Sequence, residues 1–156
     1  LLIKSFKLAF EKNNKIHLVI VGEFYENIKN YQLLLKKLHL EEHITIQNKF
    51  VPESEIKKWF SIADFIIQTN INATQSGVIS LAIYFEKIII TTAQGGIKEI
   101  LNDNNSFICE KNSKSISDNI LRAIDSNLKE KTRQLKILKK KLNWDDFSKQ
   151  LLDFIK

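Results

Sequence analysis

The amino-acid sequence predicts a three-layer α/β/α domain built on a mainly parallel β-sheet. Segments with an apolar period near 3.6 residues alternate along the chain with short runs of β-branched, continuously apolar residues. The glycines mark the same alternation, because each falls where a strand-like run gives way to a helix-like one; they are Gly22, Gly77, Gly95 and Gly96. Strands joined by helices imply right-handed crossovers, so we expect parallel strands with helices on both faces.

The first half of the chain alternates three predicted helices with three predicted strands. The helices follow from apolar stripes that recur every three or four residues, and the strands from continuous or alternating apolar runs. In order, the elements are a helix from Leu2 to a break at Asn13, a buried strand at 16–21, a helix at 28–38, a strand at 43–48, a helix that Pro52 starts or immediately precedes, and a strand at 64–69. The third of these helices is expected to turn Ile56, Trp59, Phe60 and Ala63 to the core.

The second half continues the alternation after a polar loop. A Rossmann-like domain therefore accounts for the whole chain, and no linker or internal repeat divides it. In order, the predicted elements are a buried helix at 77–85, a buried strand at 87–92, a short helix through Ile97, Ile100 and Leu101, a last strand at 107–110, and closing helices at about 117–124, 128–142 and 144–155.

Composition sets the class of protein. The chain has 156 residues, of which 44% are hydrophobic and 27% charged, which suits one globular domain covering 1–156. No apolar run approaches the roughly 18 to 20 residues that a membrane-spanning helix needs, and the N-terminus lacks the pattern of a signal peptide. We therefore expect a cytoplasmic protein. Because methionine is absent and the chain opens on Leu1, we also expect that part of a longer protein is missing.

Reactive side chains are sparse in this sequence. Cys109 is the single cysteine and lies in a short apolar segment, so we expect a buried structural thiol. The histidines His17, His39 and His43 are dispersed, and no His/Cys or His/Glu spacing suggests a metal site. No nucleophile occupies a strained elbow motif. The sequence therefore assigns no catalytic residue and predicts no metal cofactor.

Four segments carry a resemblance to a known family. They are FVPESEI, IADFIIQT, ATQSGVISLA and KIIITTAQGGIKEI, in this order between Phe50 and Glu99. This order resembles the C-terminal, donor-nucleotide-binding domain of GT-B glycosyltransferases of the GT4 type. The pieces that match are Ala63 with Asp64, Thr74 to Gly77, Lys87, and Gly95 and Gly96 with Glu99.

The resemblance implies a function for this domain and the existence of a second domain. It implies a domain that binds a nucleotide-sugar donor in a retaining glycosyltransferase, with no metal cofactor. In that family a first strand with a basic pair would precede Leu1, and an N-terminal domain binds the acceptor. The resemblance therefore implies that the chain needs this N-terminal domain, or a separate acceptor-binding subunit, and is inactive alone.

The sequence also departs from the family pattern. Many members carry two glutamates about seven residues apart, which help to hold the donor sugar and the ribose. Here Thr74 stands at roughly the first position and Leu81 or Ala82 at the second. The alternative hypothesis is therefore a noncatalytic Rossmann-like binding or interaction domain.

The best candidate for contact with a ligand is the loop that enters the helix at 77–85. It contains Thr74, Gln75, Ser76, Gly77 and Val78, which offer small hydroxyl and amide groups and unpaired backbone N–H groups at a helix start. A diphosphate fits such a place, since the helix N-terminus carries about half a positive charge. The structural alternative is that Thr74 or Ser76 simply caps the helix.

Two further segments are candidates for the same cleft. Gly95 and Gly96 form a second loop before a helix, although Glu99 in its first turn can satisfy the helix dipole, and a tight turn is the structural alternative. Lys49 and Phe50 follow the second strand, where the family often places backbone around the nucleotide base. A glycine after the first strand is expected to be a structural turn.

The positive charge is concentrated near the C-terminus. The formal net charge is +6, and seven cations gather along the predicted helix at 128–142. We expect the solvated outer face of a packed helix there, with weak attachment to the inner membrane surface as the alternative. Nucleic-acid binding is not expected, because the basic residues lack interleaved aromatics. The cations are Lys129, Lys131, Arg133, Lys136, Lys139, Lys140 and Lys141.

Overall fold

A computed structural model describes residues 1–69, 76–92 and 95–142 of the chain. The predicted helix at 144–155 lies outside the described residues. In chain order the elements are α1 (Leu2–Lys12), β1 (Leu18–Val21), α2 (Ile28–Leu38), β2 (Ile44–Gln47), α3 (Glu53–Ile62), β3 (Phe65–Gln68), α4 (Gly77–Tyr84), β4 (Ile88–Thr91), α5 (Ile97–Ile100), β5 (Phe107–Ile108), α6 (Ser113–Asp125) and α7 (Lys129–Lys141).

The described strands form two parallel ladders. In one, β1 pairs with β2, and Leu18 lies opposite Ile44. In the other, the order is β3–β4–β5, and Phe65 lies opposite Ile88. Every strand pair in the described residues is parallel, as expected when helices connect successive strands. The predicted α/β fold with a parallel sheet is confirmed.

The larger core surrounds β4. All four residues of this strand are buried, and helices α4, α6 and α7 contact it. A strand made of Ile88, Ile89 and Ile90 suits this place, since a parallel strand buried on both faces is continuously apolar. A smaller cluster joins α1, α2 and the first ladder, with Phe6 and Leu40 among its buried members.

Two elements are less buried than predicted. The strand at 16–21 was predicted to be buried, yet of β1 only Leu18 is, and Val19 is 40% exposed. Helix α3 turns Ile56, Trp59 and Phe60 inward as predicted, and Phe60 packs against the main core, yet none of its residues is fully buried. The reason is the split sheet: within the described residues β1 and β3 each have a neighbouring strand on one side only.

The open side of β1 can be identified from its hydrogen bonds. The N–H groups of Leu18 and Gly22 each donate to β2-side carbonyl oxygens at 3.1 Å. Because the residues of a parallel strand bond alternately to the two sides, the backbone groups of Val19 and Val21 face away from β2. These groups form an unpaired sheet edge in the described structure, the kind of edge that accepts another strand.

Lys87 fixes the end of α3. Its ammonium group donates to the backbone oxygens of Ala63 at 2.9 Å and Ser61 at 3.3 Å. A cation at the carboxyl end of a helix satisfies unpaired carbonyl groups and complements the helix dipole. This contact gives a structural reason for a lysine between α4 and β4.

Glu86 joins the end of α4 to α7. Its backbone is left-handed, with φ of 56°, and turns the chain from the helix into β4. Its carboxylate accepts a hydrogen bond from the ammonium group of Lys139 at 2.9 Å and lies 3.6 Å from that of Lys136. These contacts lower the pKa of Glu86, the hydrogen bond from Lys139 contributing most.

Helix α7 is packed against the core and uses several of its cations within the fold. Leu135 is fully buried against the main core. Lys131 donates to the carbonyl oxygens of Asp103 and Ser106, and its ammonium group lies 4.7 Å from the centroid of the Phe107 ring. Burial lowers the pKa of Lys131. The predicted packing of this helix on the core is confirmed; attachment to a membrane stays a prediction.

The unpaired edge of β1 can be tested by amide hydrogen exchange. We expect the amides of Val19 and Val21 to exchange faster than that of Ile20, because an amide without an acceptor is not protected. The amides of Ile90 and Thr91 in the doubly paired strand β4, which face β3 and β5 respectively, serve as the internal control and should both exchange slowly. Uniform protection along β1, measured by NMR, would contradict the open edge.

The link through Glu86 predicts a pH-dependent stability. Because its pKa is lowered in the fold from 4.5, the carboxylate stabilises the protein above that pH, and this contribution is lost as the pH falls below it. We expect Glu86→Gln to lower the free energy of unfolding at pH 7 by a few tenths of a kcal/mol, the range of exposed ion pairs.

The difference between the wild type and Glu86→Gln should shrink toward pH 3, as followed by urea denaturation. Glu41→Gln is the matched control, because the Glu41 carboxylate has no hydrogen bond or ion pair with any described residue. An equal and pH-independent loss in both variants would show that the contact of Glu86 with α7 contributes nothing.

Candidate functional site

The carboxyl ends of β3 and β4 lie side by side. The register places Gln68 opposite Thr91, and the N–H of Thr92 donates to the carbonyl oxygen of Gln68 at 3.2 Å. The two predicted ligand loops, at 74–78 and 95–99, follow these neighbouring strands. Since ligands of open parallel sheets bind outside the carboxyl ends of the strands, both loops leave the sheet at the edge where a site is expected.

Ser76 immediately precedes α4, but its side chain does not cap the helix. Its backbone is extended, with φ of −148°, and its carbonyl oxygen accepts hydrogen bonds from the N–H groups of Ile79 and Ser80. The Ser76 hydroxyl makes no capping hydrogen bond. The alternative that Ser76 caps the helix through its side chain is therefore wrong.

The Ser76 hydroxyl instead contacts the end of β3. The side-chain Nε2 of Gln68 donates to Oγ of Ser76 at 2.6 Å, and Gln68 is only 9% exposed. The sequence prediction missed Gln68 as a site residue. The available signal was a single amide side chain at the end of the apolar run Phe65 to Ile67.

Gly77 and Val78 form the exposed first turn of α4. Val78 is 44% exposed, and a Cβ atom added to Gly77 would meet no atom within 4 Å. The fold of the described residues therefore does not require glycine at this position. The first N–H groups of a helix have no acceptor within it, so this turn offers backbone donors to an anion.

The second candidate loop is a tight turn into a short helix. Gly95 has φ of 54°, a left-handed conformation that disfavours other residues, and Gly96 precedes α5. The carbonyl oxygens of these glycines accept from the N–H groups of Lys98 and Glu99 at 3.1 and 3.2 Å. Glu99 lies exposed in the first turn. The geometry of a turn, which was the structural alternative, is present here.

Lys49 and Phe50 follow β2 in the other ladder. The ammonium group of Lys49 lies 3.3 Å from the carboxylate of Glu55 in the first turn of α3, while Phe50 is 69% exposed. Next to them, the side-chain oxygen of Asn48 accepts from the N–H of Phe24 at 3.0 Å and ties the β1–α2 loop to the end of β2. The predicted contact of these two residues with a nucleotide base stays a prediction.

The structure thus brings Ser76, which leads into Gly77 and Val78, into contact with the buried Gln68 at the end of β3. Thr74 and Gln75 lie outside the described residues. The remaining predicted glycine, Gly22, has φ of 136° and no atom within 4 Å of an added Cβ, which agrees with a structural turn.

The described residues offer neither a metal site nor a reactive thiol. No group of three or more His, Cys, Asp or Glu side chains in the described ranges is placed to hold a metal ion. Cys109 is buried, and burial raises the pKa of its thiol to about 11. A thiol with this pKa stays protonated near neutral pH and is a poor nucleophile, as predicted for a structural cysteine.

Comparison with protein families identifies the chain. The family model for "Glycosyl transferases group 1" matches residues 1–155. The chain belongs to this family. No curated protein matches the sequence of this group 1 glycosyl transferase domain.

Solved structures share the fold of this glycosyl transferase domain. A mutant of TarM from S. aureus, solved with fondaparinux, alpha-GlcNAc-glycerol and UDP, matches with a TM-score of 0.82 and 17% identity over 97% of this chain and 31% of that one. HepE from Anabaena, solved with UDP and glucose, matches with a TM-score of 0.79 and 16% identity over 98% and 44%.

A third structure is itself a single domain. The C-terminal domain of LpcC, a group 1 glycosyl transferase of Francisella tularensis, matches with a TM-score of 0.73 and 20% identity over 87% of this chain and 76% of that domain. The chain therefore spans less than half the length of TarM and HepE, but most of a C-terminal glycosyl transferase domain. Its fold is the Rossmann-like fold of the C-terminal domains of GT-B glycosyltransferases, as predicted.

Within the described ranges, no helix combines the length and the apolar character that crossing a membrane requires.

The two candidate glycine positions should respond differently to alanine. Gly95→Ala is expected to lower the free energy of unfolding by about 1 to 2 kcal/mol, because alanine is disfavoured in the left-handed region. Gly77→Ala should leave it unchanged or raise it by up to about 1 kcal/mol, since alanine fits this open helical position and favours helix. Urea denaturation measures both. A large loss for Gly77→Ala would show that the fold itself requires this glycine.

Proposed function

We propose that this chain is the donor-binding domain of a glycosyltransferase that takes a sugar from a nucleotide-sugar. The observation that carries the proposal is the start of α4, where Ser76, Gly77 and Val78 present a hydroxyl group and backbone N–H groups beside the carboxyl end of β3. Membership of the group 1 family supports it. The solved complexes of TarM and HepE, which contain UDP, make UDP the first nucleotide to test.

The proposed chemistry is a displacement at the anomeric carbon of the sugar. The bond from this carbon to the diphosphate oxygen breaks, a bond to an acceptor oxygen forms, and the proton of the acceptor hydroxyl passes to the departing diphosphate or to water. Negative charge then accumulates on the departing nucleotide diphosphate. The partial positive charge at the N-terminus of α4, together with its N–H groups, would stabilise this charge without reorganisation.

The proposed site contains no carboxylate at the two positions where many family members have glutamate. Of the two candidates for the second position, Ala82 is fully buried in the main core, whereas Leu81 is half-buried. We propose that electrostatic handling of the donor, with retention at the sugar, does not depend on those carboxylates in this protein. The nucleotide-sugar is the substrate, and the proposal includes no metal cofactor.

We extend the proposal to a missing N-terminal domain, or a separate subunit, that binds the acceptor. The chain spans 31% of TarM and 44% of HepE, which supports a second domain. The unpaired edge of β1 supports a further strand before α1, because a helix that leads into a parallel strand normally follows a neighbouring strand.

A weaker proposal concerns location. Weak contact of the α7 face with an anionic membrane surface in the cytoplasm would use the cations that the fold leaves unpaired. Among the described residues, Lys129, Lys140 and Lys141 have no hydrogen bond or ion pair through their side chains, whereas Lys131, Arg133, Lys136 and Lys139 are engaged within the fold. No nucleic-acid partner is proposed.

A second candidate function is a noncatalytic binding or interaction domain. It is favoured by the absence of glutamate at positions 74, 81 and 82. A domain of this kind would keep the fold without responding to nucleotides.

Nucleotide binding separates the two functions. In NMR titrations of the intact protein, we expect UDP, or failing that GDP, to shift the amide signals of Ser76 to Val78 and Gly95, while the nucleoside without phosphates shifts them little. Gly77→Ala should weaken UDP binding about tenfold, because a methyl group obstructs the approach of the diphosphate to the backbone.

This titration needs two controls, the stability of the Gly77→Ala variant and a reporter signal outside the candidate site. Gly77→Ala must retain the wild-type free energy of unfolding, so that its loss of affinity cannot come from unfolding. The signal of Leu40, fully buried in the smaller cluster just before β2, serves as the reporter outside the candidate site and should not move. If saturating UDP and GDP leave every signal of the intact protein unchanged, the noncatalytic function is the correct one.

A further inference from the structure

Gln68 carries a buried polar atom that the fold leaves without a partner. The side chain is 9% exposed, its Nε2 donates to Oγ of Ser76 at 2.6 Å, and its Oε1 is buried with no hydrogen bond to any described residue. A buried amide oxygen that has lost water without gaining a donor costs free energy, so such an atom in a folded protein calls for an explanation.

The packing of β3 does not explain an amide at this position. The other residues of the strand are Phe65, Ile66 and Ile67, and all pack against the apolar core. A leucine of similar size would continue this pattern and leave no unpaired atom. Packing among the described residues therefore does not explain why this position carries an amide side chain.

The contact with Ser76 leaves one proton available. Because Oγ of Ser76 already accepts from Gln68 and makes no capping hydrogen bond, its hydroxyl hydrogen is free to donate elsewhere. The backbone N–H groups of Gly77 and Val78 begin the same helix. The positively polarised end of this helix thus carries three donors. They are the Ser76 hydroxyl, which Gln68 holds, and the backbone N–H groups of Gly77 and Val78.

We propose that Gln68 is a positioning residue for the donor, an inference that rests on the proposed nucleotide-sugar binding. Its Nε2 fixes the Ser76 hydroxyl as a hydrogen-bond donor to the diphosphate, and its Oε1 accepts a hydrogen bond from a hydroxyl group of the sugar. A diphosphate has no donor for Oε1 at neutral pH, whereas a sugar has several, so this oxygen favours the whole nucleotide-sugar over the free nucleotide.

The test compares UMP, UDP and UDP-glucose by calorimetry on the intact protein. In Gln68→Leu, we expect UMP to bind as in the wild type, UDP to bind about tenfold more weakly, and UDP-glucose to lose more than UDP. The thermal stability of this variant should equal or exceed that of the wild type, because an unpaired buried acceptor is removed. A residue with a merely structural role would instead weaken all three ligands together with stability.

Ser76→Ala tests the route by which Gln68 acts. It should lose UDP affinity to a similar extent, and the double variant should lose less than the sum of the two single losses, because both changes remove the same hydroxyl contact. Gln47→Leu, at the corresponding end of β2, is the matched control and should not change the ratio of UDP to UMP affinity.

The outcomes are distinguishable from failure of the proposed function. If the wild-type protein binds none of the three probes, the nucleotide function itself is wrong and the role of Gln68 fails with it. If the wild type binds but Gln68→Leu keeps the wild-type ratio of UDP to UMP affinity, or if the losses of the two variants add in full, the positioning role is overturned. Equal losses for UDP and UDP-glucose would overturn the contact of Oε1 with the sugar.

Discussion

The burial of β4 is the constraint on which the rest of the described structure depends. This strand pairs with β3 on one side and β5 on the other, and α4, α6 and α7 contact it. A parallel strand buried in this way must have its neighbours in place before its own backbone and side chains are satisfied. The position of β4 therefore sets where β3 ends and where α4 begins, and the candidate site lies between these two points.

The sequence predicted the positions of the helices and strands better than it predicted their burial. Helix α2 was placed at its observed bounds, because its apolar stripe is a local pattern. Helix α6 begins at Ser113, four residues before the predicted start, since Asn112 caps it through the N–H of Ser115 while its first turn is polar. The exposure of β1 could not be predicted, because it depends on which strand lies beside it, and that is a property of the whole sheet.

The same difference applies to the candidate site, where local sequence patterns were predictive and contacts between separate segments were not. Gly77 was found because a glycine at a strand-to-helix boundary is visible in the sequence. Gln68 was not found, because its contact with Ser76 joins two ends of a loop and depends on the three-dimensional path between them. Helix α4 thus offers donors at one end, while Glu86 at the other end is held by α7. Its contacts with α7, β4 and β3 hold this orientation.

Helix α3 has few buried contacts, which affects where this domain unfolds locally. No residue of the helix is fully buried, and the ammonium group of Lys87 holds its carboxyl end by two carbonyl oxygens. Segments with few buried contacts unfold locally at a lower free energy than core strands. We therefore expect the segment that joins Phe50 to β3 to open at a lower free energy than the described core strands, which would expose it to a protease.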